Sequence, residues 1–279
     1  MKFTKMHGLG NDFLVIDARR LPDVDFAALA RRLCHRHTGV GADGLLLVLE
    51  SGVADVRMRI VNSDGSEAEM CGNGIRCFAK YVYERGIVNE SAFSVETLAG
   101  IMRPELLLED GRVSQVRVDM GEPALSCADI PVLGEGRCIE RALDVGGRTL
   151  AVTSVRVGVP HTILFVDDLA AADVAGLGAQ IERHSAFPQR TNVDFVQCID
   201  GCTVEMRTWE RGCGCTLACG TGACSVAVAC ALTERTGRSV DVRIELGTLH
   251  IDWAADNHVY MTGPAALVCE GETPDLEEA

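Results

Sequence analysis

The chain repeats itself. Sliding the 279-residue sequence by 148 positions lays Val56-Arg-Met-Arg59 on Val204-Glu-Met-Arg207, and Cys71-Gly-Asn-Gly74 on Cys219-Gly-Thr-Gly222. The same offset lays Gly10–Asp17 on Gly158–Phe165; both read as an apolar strand after a glycine turn. With small gaps, Glu84-Arg85 meets Glu234-Arg235, and Phe93-Ser-Val-Glu-Thr97 meets Val242-Arg-Ile-Glu-Leu246. Self-similarity at one long offset means that one structural unit is built twice.

Each half has the same expected order: glycine turn and strand, a mostly helical segment, strands, a Cys-Gly-x-Gly turn, an apolar helix, then strands. The alternating runs Val56–Val61 and Val240–Leu246 fit strands, and Phe78–Tyr83 and Ser225–Leu232 fit helices opening just after the glycines. The fold class is therefore α+β. Two homologous domains are expected about a pseudo-two-fold axis, each a mostly antiparallel sheet or barrel wrapped around a central apolar helix. The active site is expected in the cleft between them. The first half spans 1–119 joined by the C-terminal tail 264–279, and the second spans 120–263. The linker falls near Asp119–Glu122, where Gly121-Glu-Pro123 breaks the pattern.

Composition removes several classes of function. The net charge of −14 repels phosphate backbones, so no nucleic-acid partner is expected. No apolar run reaches the roughly 18 residues of a membrane span, and the N-terminus lacks the apolar core of a signal peptide. A cytoplasmic protein with no membrane partner follows. Thirteen cysteines, an odd number, then read mainly as small buried hydrophobes in a reducing compartment. Lys2, Lys5 and Lys80 are the only lysines. That leaves few candidates for the Schiff base of a pyridoxal-phosphate enzyme.

The two Cys-Gly-x-Gly turns carry the chemistry. Each puts a thiol where a helix begins, beside backbone N–H groups that have no partner within the helix and a partial positive charge. Such placement can lower a cysteine pKa from about 8.5 toward about 3.5–7.5. Gly72, Asn73, Gly220 and Thr221 would offer N–H groups to an anion. Set face to face, the turns would hold one carboxylate between two helix ends with a sulfur on each side. That arrangement suits inversion at the adjacent carbon: one thiolate takes the α-proton and the opposite thiol delivers another. The N–H donors stabilise the charge that develops on the carboxylate. Cys71 and Cys219 are the expected acid/base pair.

The longer motifs resemble the diaminopimelate epimerase family over nearly the whole chain. They are Lys5–Phe13, Gly39–Gly44, Asn62–Ser66 with Met70–Cys77, Thr191–Phe195, and Glu210–Thr216 with Ala218–Gly222. The resemblance implies epimerisation of L,L-diaminopimelate to the meso form, for lysine and peptidoglycan precursors, with no cofactor and no metal. It implies that Gly72, Asn73, Gly220 and Thr221 hold the reacting carboxylate. Asn11, Asn62, Asn192, Glu210 and Arg211 would bind the amino and distal groups, and His161 and Glu210 would tune the thiols. It also implies a homodimer acting on a small amino-acid substrate. Two positions depart from the family pattern: Gly44 stands for a common glutamine, and Val159 for an asparagine before Pro160-His161.

Other readings of the same residues remain open at this point. Another two-cysteine racemase could act on a basic amino acid or on proline, although proline-type relatives tend to carry histidine where Asn73 stands. A cysteine-rich metal or redox protein is the rival outside this class. Its candidate cluster, Cys213, Cys215, Cys219 and Cys224, matches no zinc-type Cys-x2-Cys pair. Cys77 and Cys224 fall inside the expected helices and read as packing residues.

Overall fold

A computed structural model describes residues 1–21 and 24–273, so the last six positions of the tail assigned to the first half lie outside the described residues. The chain divides into two units, Met1–Val118 with the chain from Gly263, and Asp119–Thr262. No helix among the described residues is long and apolar enough to cross a membrane.

Unit 1 opens with β1 (Lys2–Gly8), β2 (Asn11–Asp17), α1 (Phe26–Leu33), β3 (Gly44–Leu49), β4 (Val56–Asn62) and β5 (Glu67–Ala68). It continues with α2 (Gly72–Glu84), β6 (Val95–Thr97), β7 (Gly100–Met102), β8 (Glu105–Glu109) and β9 (Arg112–Asp119). Unit 2 contains β10 (Arg141–Val145), β11 (Arg148–Val157), β12 (Val159–Phe165), α3 (Val174–Glu182), β13 (Asn192–Cys198) and β14 (Thr203–Glu210). Then come β15 (Gly214–Thr216), α4 (Gly220–Leu232), β16 (Ser239–Ile244), β17 (Gly247–Trp253) and β18 (Val259–Gly263). Finally β19 (Ala266–Glu272) pairs antiparallel with β1.

The strand pairings make the duplication explicit. β1–β2, β3–β4, β4–β5 and β6–β7 are antiparallel, whereas β2–β3 and β4–β6 are parallel. In unit 2, β11–β12, β13–β14, β14–β15 and β16–β17 are antiparallel, and β12–β13 and β14–β16 are parallel. Each parallel step follows a helical crossover, as same-direction pairing demands.

Two sequence matches need correction. Val56 pairs with Val95 and Val204 pairs with Val242, so Val95, not Phe93, is the counterpart of Val242. The sequence match had slipped by two residues. A two-residue slip keeps every side chain on its own face of a strand, so hydrophobic pattern cannot detect it. Glu84 ends α2, whereas Glu234 lies beyond α4, so the Glu-Arg pairs are not equivalent either.

Both sheets carry helices on two faces. In unit 1, Leu45, Leu47, Leu14 and Ile16 pack with Leu29, Ala30 and Leu33 of α1. Leu46, which points the other way, lies beside Gly74 of α2. β3 is accordingly buried almost throughout. In unit 2, Val193 and Phe195 join the cluster that includes Val174 and Ile181 of α3. Asn192 and Asp194 alternate with them and are buried on the opposite face. Helix α4 is buried on every side from Gly222 to Cys230, which suits its run of Ala, Val, Ser and Cys.

Helix α1 is capped by Asp25, whose side chain accepts from Ala28 N, and Arg31 and Arg32 occupy its last turn, the favourable polarity for the helix dipole. The following loop turns back tightly. A Cβ on Gly39 would come within 2.3 Å of the Arg32 carbonyl oxygen, so only glycine fits there. That turn delivers Arg36 and Asp43 to the start of β3.

Candidate active site

Cys71 and Cys219 are the N-cap residues of α2 and α4, both in extended backbone conformation. The helices begin at Gly72 and Gly220, so the glycines lie inside the first turn, not before the helix as the sequence pattern suggested. In each helix the first i to i−4 bond is made by the fourth residue after the cysteine: Ile75 N to Cys71 O (2.9 Å) and Ala223 N to Cys219 O (3.0 Å). The N–H groups of Gly72, Asn73, Gly220 and Thr221 precede those bonds, in the stretch of a helix that accepts an anion.

In unit 1 the thiol is surrounded by amides. Cys71 Sγ lies 3.4 Å from the Gly74 N–H and 3.5 Å from Asn11 Oδ1, which also accepts from Asn73 Nδ2 at 3.3 Å. The Asn11 amide has its orientation set from behind. Its Nδ2 donates to Asp43 Oδ2 at 2.7 Å, and a carboxylate can only accept. Asn11 Oδ1 must then face the cysteine. Asp43 is itself held by Arg36 Nη2 at 2.7 Å, and the same nitrogen bonds Asp12 Oδ1 at 2.8 Å. Burial alone would raise the Asp12 carboxyl, but hydrogen bonds from Arg36 and Lys5 outweigh it and hold the group below its ordinary value. Asn62 ends β4 opposite Gly44, with its Nδ2 on Ser66 Oγ at 3.0 Å. A Cβ on Gly44 would lie 2.7 Å from the Val61 carbonyl oxygen, so a larger residue there needs the β3–β4 pair to shift. Arg76 is fully buried behind the first turn of α2 and donates to the Gly72 carbonyl at 3.1 Å.

Unit 2 surrounds its thiol with ionisable groups. His161 and Asp194 are both buried completely and meet at 2.7 Å through Nδ1 and Oδ2. The other Asp194 oxygen accepts from the Thr208 hydroxyl at 2.7 Å. His161 Nε2 lies 3.0 Å from Thr221 Oγ1, which lies 3.5 Å from Cys219 Sγ. Asn192 Nδ2 donates to the Pro160 carbonyl at 3.1 Å, and Asn192 Oδ1 accepts from Arg211 N–H at 2.7 Å. The Arg211 guanidinium donates to the Gln189 carbonyl, not to Glu210. Glu210 accepts from the Thr216 hydroxyl. Burial raises the Glu210 pKa, while the Thr216 hydroxyl, His161 and the Cys219 thiol work against that rise.

These surroundings overturn one expectation from sequence. A helix N-terminus should lower a cysteine pKa, yet Cys219 is held well above the ordinary thiol value. Burial is the largest cause, followed by the negative charges of Glu210 and Asp194; the hydrogen bond from the Gly222 N–H opposes them. Desolvation and two nearby carboxylates outweigh the helix dipole. Burial and the two carboxylates thus favour the thiol over the thiolate at Cys219. Replacing Glu210 with Gln keeps the shape and removes one of those charges. Iodoacetamide should then alkylate Cys219 about tenfold faster at pH 8, one pKa unit's worth of thiolate, as measured by peptide mass spectrometry. An unchanged rate would show that Glu210 does not set this thiol.

The remaining cysteines have other settings. Cys77 is fully buried and its thiol is pushed up to about 12 by desolvation, as expected of a packing residue. Of the suspected metal cluster, Cys213 and Cys215 are exposed while Cys219 and Cys224 are buried. Val159 occupies the repeat position of Asn11, and Asn192 that of Gly44: His161 pairs with Asn192 in β12–β13 as Phe13 pairs with Gly44 in β2–β3.

Sequence reasoning missed Asp43, Arg36, Arg76, Thr208 and Asp194. For Asp194 a signal was present. In Thr191-Asn-Val-Asp-Phe195 the apolar residues alternate with Asn192 and Asp194, so a strand there must aim both polar side chains at the face away from the apolar cluster.

Known proteins match this description. The sequence matches the family described as diaminopimelate epimerase over residues 3–126 and 153–268. It is 54% identical over 277 residues to the diaminopimelate epimerase of Pelotomaculum thermopropionicum, covering 98% of this chain and 99% of that one. The enzyme of Moorella thermoacetica is also 54% identical, over 278 residues, with 98% and 99% covered. Among solved structures, a phenazine biosynthesis protein of the PhzF family from Bacillus anthracis superposes with a TM-score of 0.73 at 18% identity, covering 99% of each chain. A probable proline racemase from Agrobacterium radiobacter gives 0.68 at 17% identity, covering 99% of this chain and 94% of that one. At such identities the structures report the shared α+β fold of two sheet-rich domains. With two relatives above half identity along nearly the full length, the chain belongs to the diaminopimelate epimerase family.

Proposed function

We infer that the chain is an isomerase that epimerises L,L-diaminopimelate to the meso form, a step of lysine biosynthesis. The observation that carries the chemistry is the pair of thiol-capped helices. The same repeat position in each unit holds a cysteine at a helix N-cap, followed by N–H groups free of i to i−4 bonding.

In this reading the first-turn N–H groups of α2 and α4 hold the carboxylate next to the reacting carbon. One of Cys71 and Cys219 takes the α-proton as thiolate and the other returns a proton to the opposite face as thiol. Reversing the reaction exchanges the roles. The carbanion spreads its charge onto the carboxylate, where fixed N–H dipoles stabilise it most. Asn11, Asn62, Asn192, Glu210 and Arg211 bind the amino and distal groups, and His161 and Glu210 adjust the thiols. Burial, Glu210 and Asp194 favour the thiol form of Cys219, the form that donates a proton. Thiol chemistry of this kind suits the reducing cytoplasm, where we place the chain, as a homodimer.

The test compares substrates. Purified protein is offered L,L-diaminopimelate, histidine, ornithine, lysine and proline, and inversion is followed by chiral chromatography. Rapid appearance of meso-diaminopimelate, at least about a hundredfold faster than inversion of any other, is the expected result. Inversion of a basic amino acid or of proline, with diaminopimelate left untouched, would overturn the assignment of substrate.

A further inference from the structure

We propose that Asp194 is a positioning residue: it fixes the tautomer of His161 so that Nε2 accepts a hydrogen bond from the Thr221 hydroxyl, leaving the Thr221 oxygen to accept from the Cys219 thiol. The proposal rests on the two-thiol reading above and assigns a role to a carboxylate that reading leaves unused.

The tautomer follows from two independent chains of hydrogen bonds. From one side, Asp194 can only accept, and its Oδ2 lies 2.7 Å from His161 Nδ1, so Nδ1 carries a proton. From the other side, the Arg211 backbone N–H donates at 2.7 Å to Asn192 Oδ1, which fixes the flip of that amide. Asn192 Nδ2 is thereby the group facing His161 Nε2 at 3.3 Å, and it can only donate. Nε2 must be the bare nitrogen. The closest hydroxyl to it, Thr221 at 3.0 Å, accordingly donates. With its proton spent on the ring, Thr221 Oγ1 presents lone pairs to Cys219 Sγ at 3.5 Å.

The charged groups around Cys219 are Asp194 of β13 and Glu210 of β14, and both favour the S–H form; His161 of β12 reaches the sulfur through Thr221. Asp194 does so as a charge and through the orientation it imposes. Its site is built for that purpose. It is fully buried, its second oxygen is anchored by Thr208, and Gly222 of α4 brings the helix so near that a Cβ would lie 2.9 Å from Oδ1. At the equivalent places in unit 1 stand Leu46 and Phe13, so the device exists in one half only.

The first arm of the test needs no substrate. In protein labelled with 15N-histidine, the ring pair that vanishes in His161→Asn should show a protonated Nδ1 and a bare Nε2. A protonated Nε2 beside a bare Nδ1 in the wild type would overturn the proposal, whatever the enzyme turns over. In Asp194→Asn the amide can donate to Nδ1 and move the ring proton to Nε2; Thr221 then turns its hydroxyl toward the sulfur. Alkylation of Cys219 should rise about tenfold. The kcat should fall about 10- to 100-fold, the scale of lost supporting hydrogen bonds, with KM within about twofold because Asp194 does not touch substrate. Thr221→Val should cancel most of the alkylation effect of Asp194→Asn and leave that of Glu210→Gln intact. Folded Asp194→Asn protein with wild-type ring nitrogens, alkylation rate and kcat would overturn the proposal. Should that variant fail to fold, the wild-type tautomer decides. If the wild type inverts no diaminopimelate, the functional reading falls while the ring nitrogens still decide this one.

Discussion

Replacing Cys71 with Ala should abolish epimerisation in both directions, and Cys219→Ala should do the same, each lowering kcat by about 10⁴-fold or more. That is the upper end of what a positioned general acid or base supplies, because each thiol is the base in one direction and the acid in the other. The loss should be equal for L,L- and meso-diaminopimelate as substrate. KM should change little, since the proposed mechanism holds the carboxylate on the N–H groups that follow each cysteine and not on the sulfur. Both variants should fold. Cys71 is half-buried, and each substitution removes only one sulfur and its weak contact with a first-turn N–H. Steady-state kinetics with a coupled dehydrogenase or chiral chromatography checks the result. A Cys219→Ala protein that turned over one stereoisomer normally would show that a single base suffices.

The second large effect concerns one methyl group. Gly222→Ala should lower kcat by about a hundredfold, while Gly74→Ala, at the equivalent place in unit 1, should cost less than about tenfold. Alanine gains up to about 1 kcal/mol over glycine inside a helix. At Gly222 that gain is outweighed. The new Cβ would lie 2.9 Å from Asp194 Oδ1 and 3.2 Å from both Cys219 Sγ and His161 Cε1. The carboxylate is anchored by His161 and Thr208 and has no free rotation to offer. The helix end must move, and overpacking of this kind costs about 1–3 kcal/mol. A displacement of the thiol by about 1 Å is enough for a hundredfold loss of rate. At Gly74 the nearest atoms are Leu46 Cδ2 at 3.3 Å and Cys71 Cβ at 3.4 Å, and the leucine can give way. Melting curves beside kcat separate a displaced site from an unfolded one. Equal kcat for the two variants would show that the tight contact at Asp194 has no catalytic consequence.

The legible part of this protein was what the duplication preserved. Cys71 and Cys219 could be singled out because glycines, flanking strands and the following helix recur around both. The strands of each unit could be placed because apolar residues alternate, or run continuously where both faces are covered, as in β3. What the duplication had lost was hidden. Asp194 corresponds to Leu46, and His161 to Phe13, so the duplication points to neither; His161 was legible only through the family resemblance, and Asp194 was missed. Asn192 corresponds to Gly44, so it too came from the resemblance and not from the repeat.

Two further features could not be read because they belong to three dimensions. The protonation of Cys219 is decided by burial and by Glu210 and Asp194, which approach from strands well before it in the chain; the cap position alone points the opposite way. Asp43 acts through Asn11, 32 residues earlier, and only the parallel pairing of β2 with β3 puts the two side by side.

The account stands on the exchange of roles between two thiols, and the origin of the hydrogen in the product tests it most directly. In D2O, under single-turnover conditions and from either stereoisomer, the product should carry deuterium at the inverted carbon from the first turnover, while recovered substrate stays unlabelled. Product that keeps the original protium, or substrate that gains deuterium as fast as product forms, would mean that one group removes and returns the proton and would contradict the two-thiol mechanism.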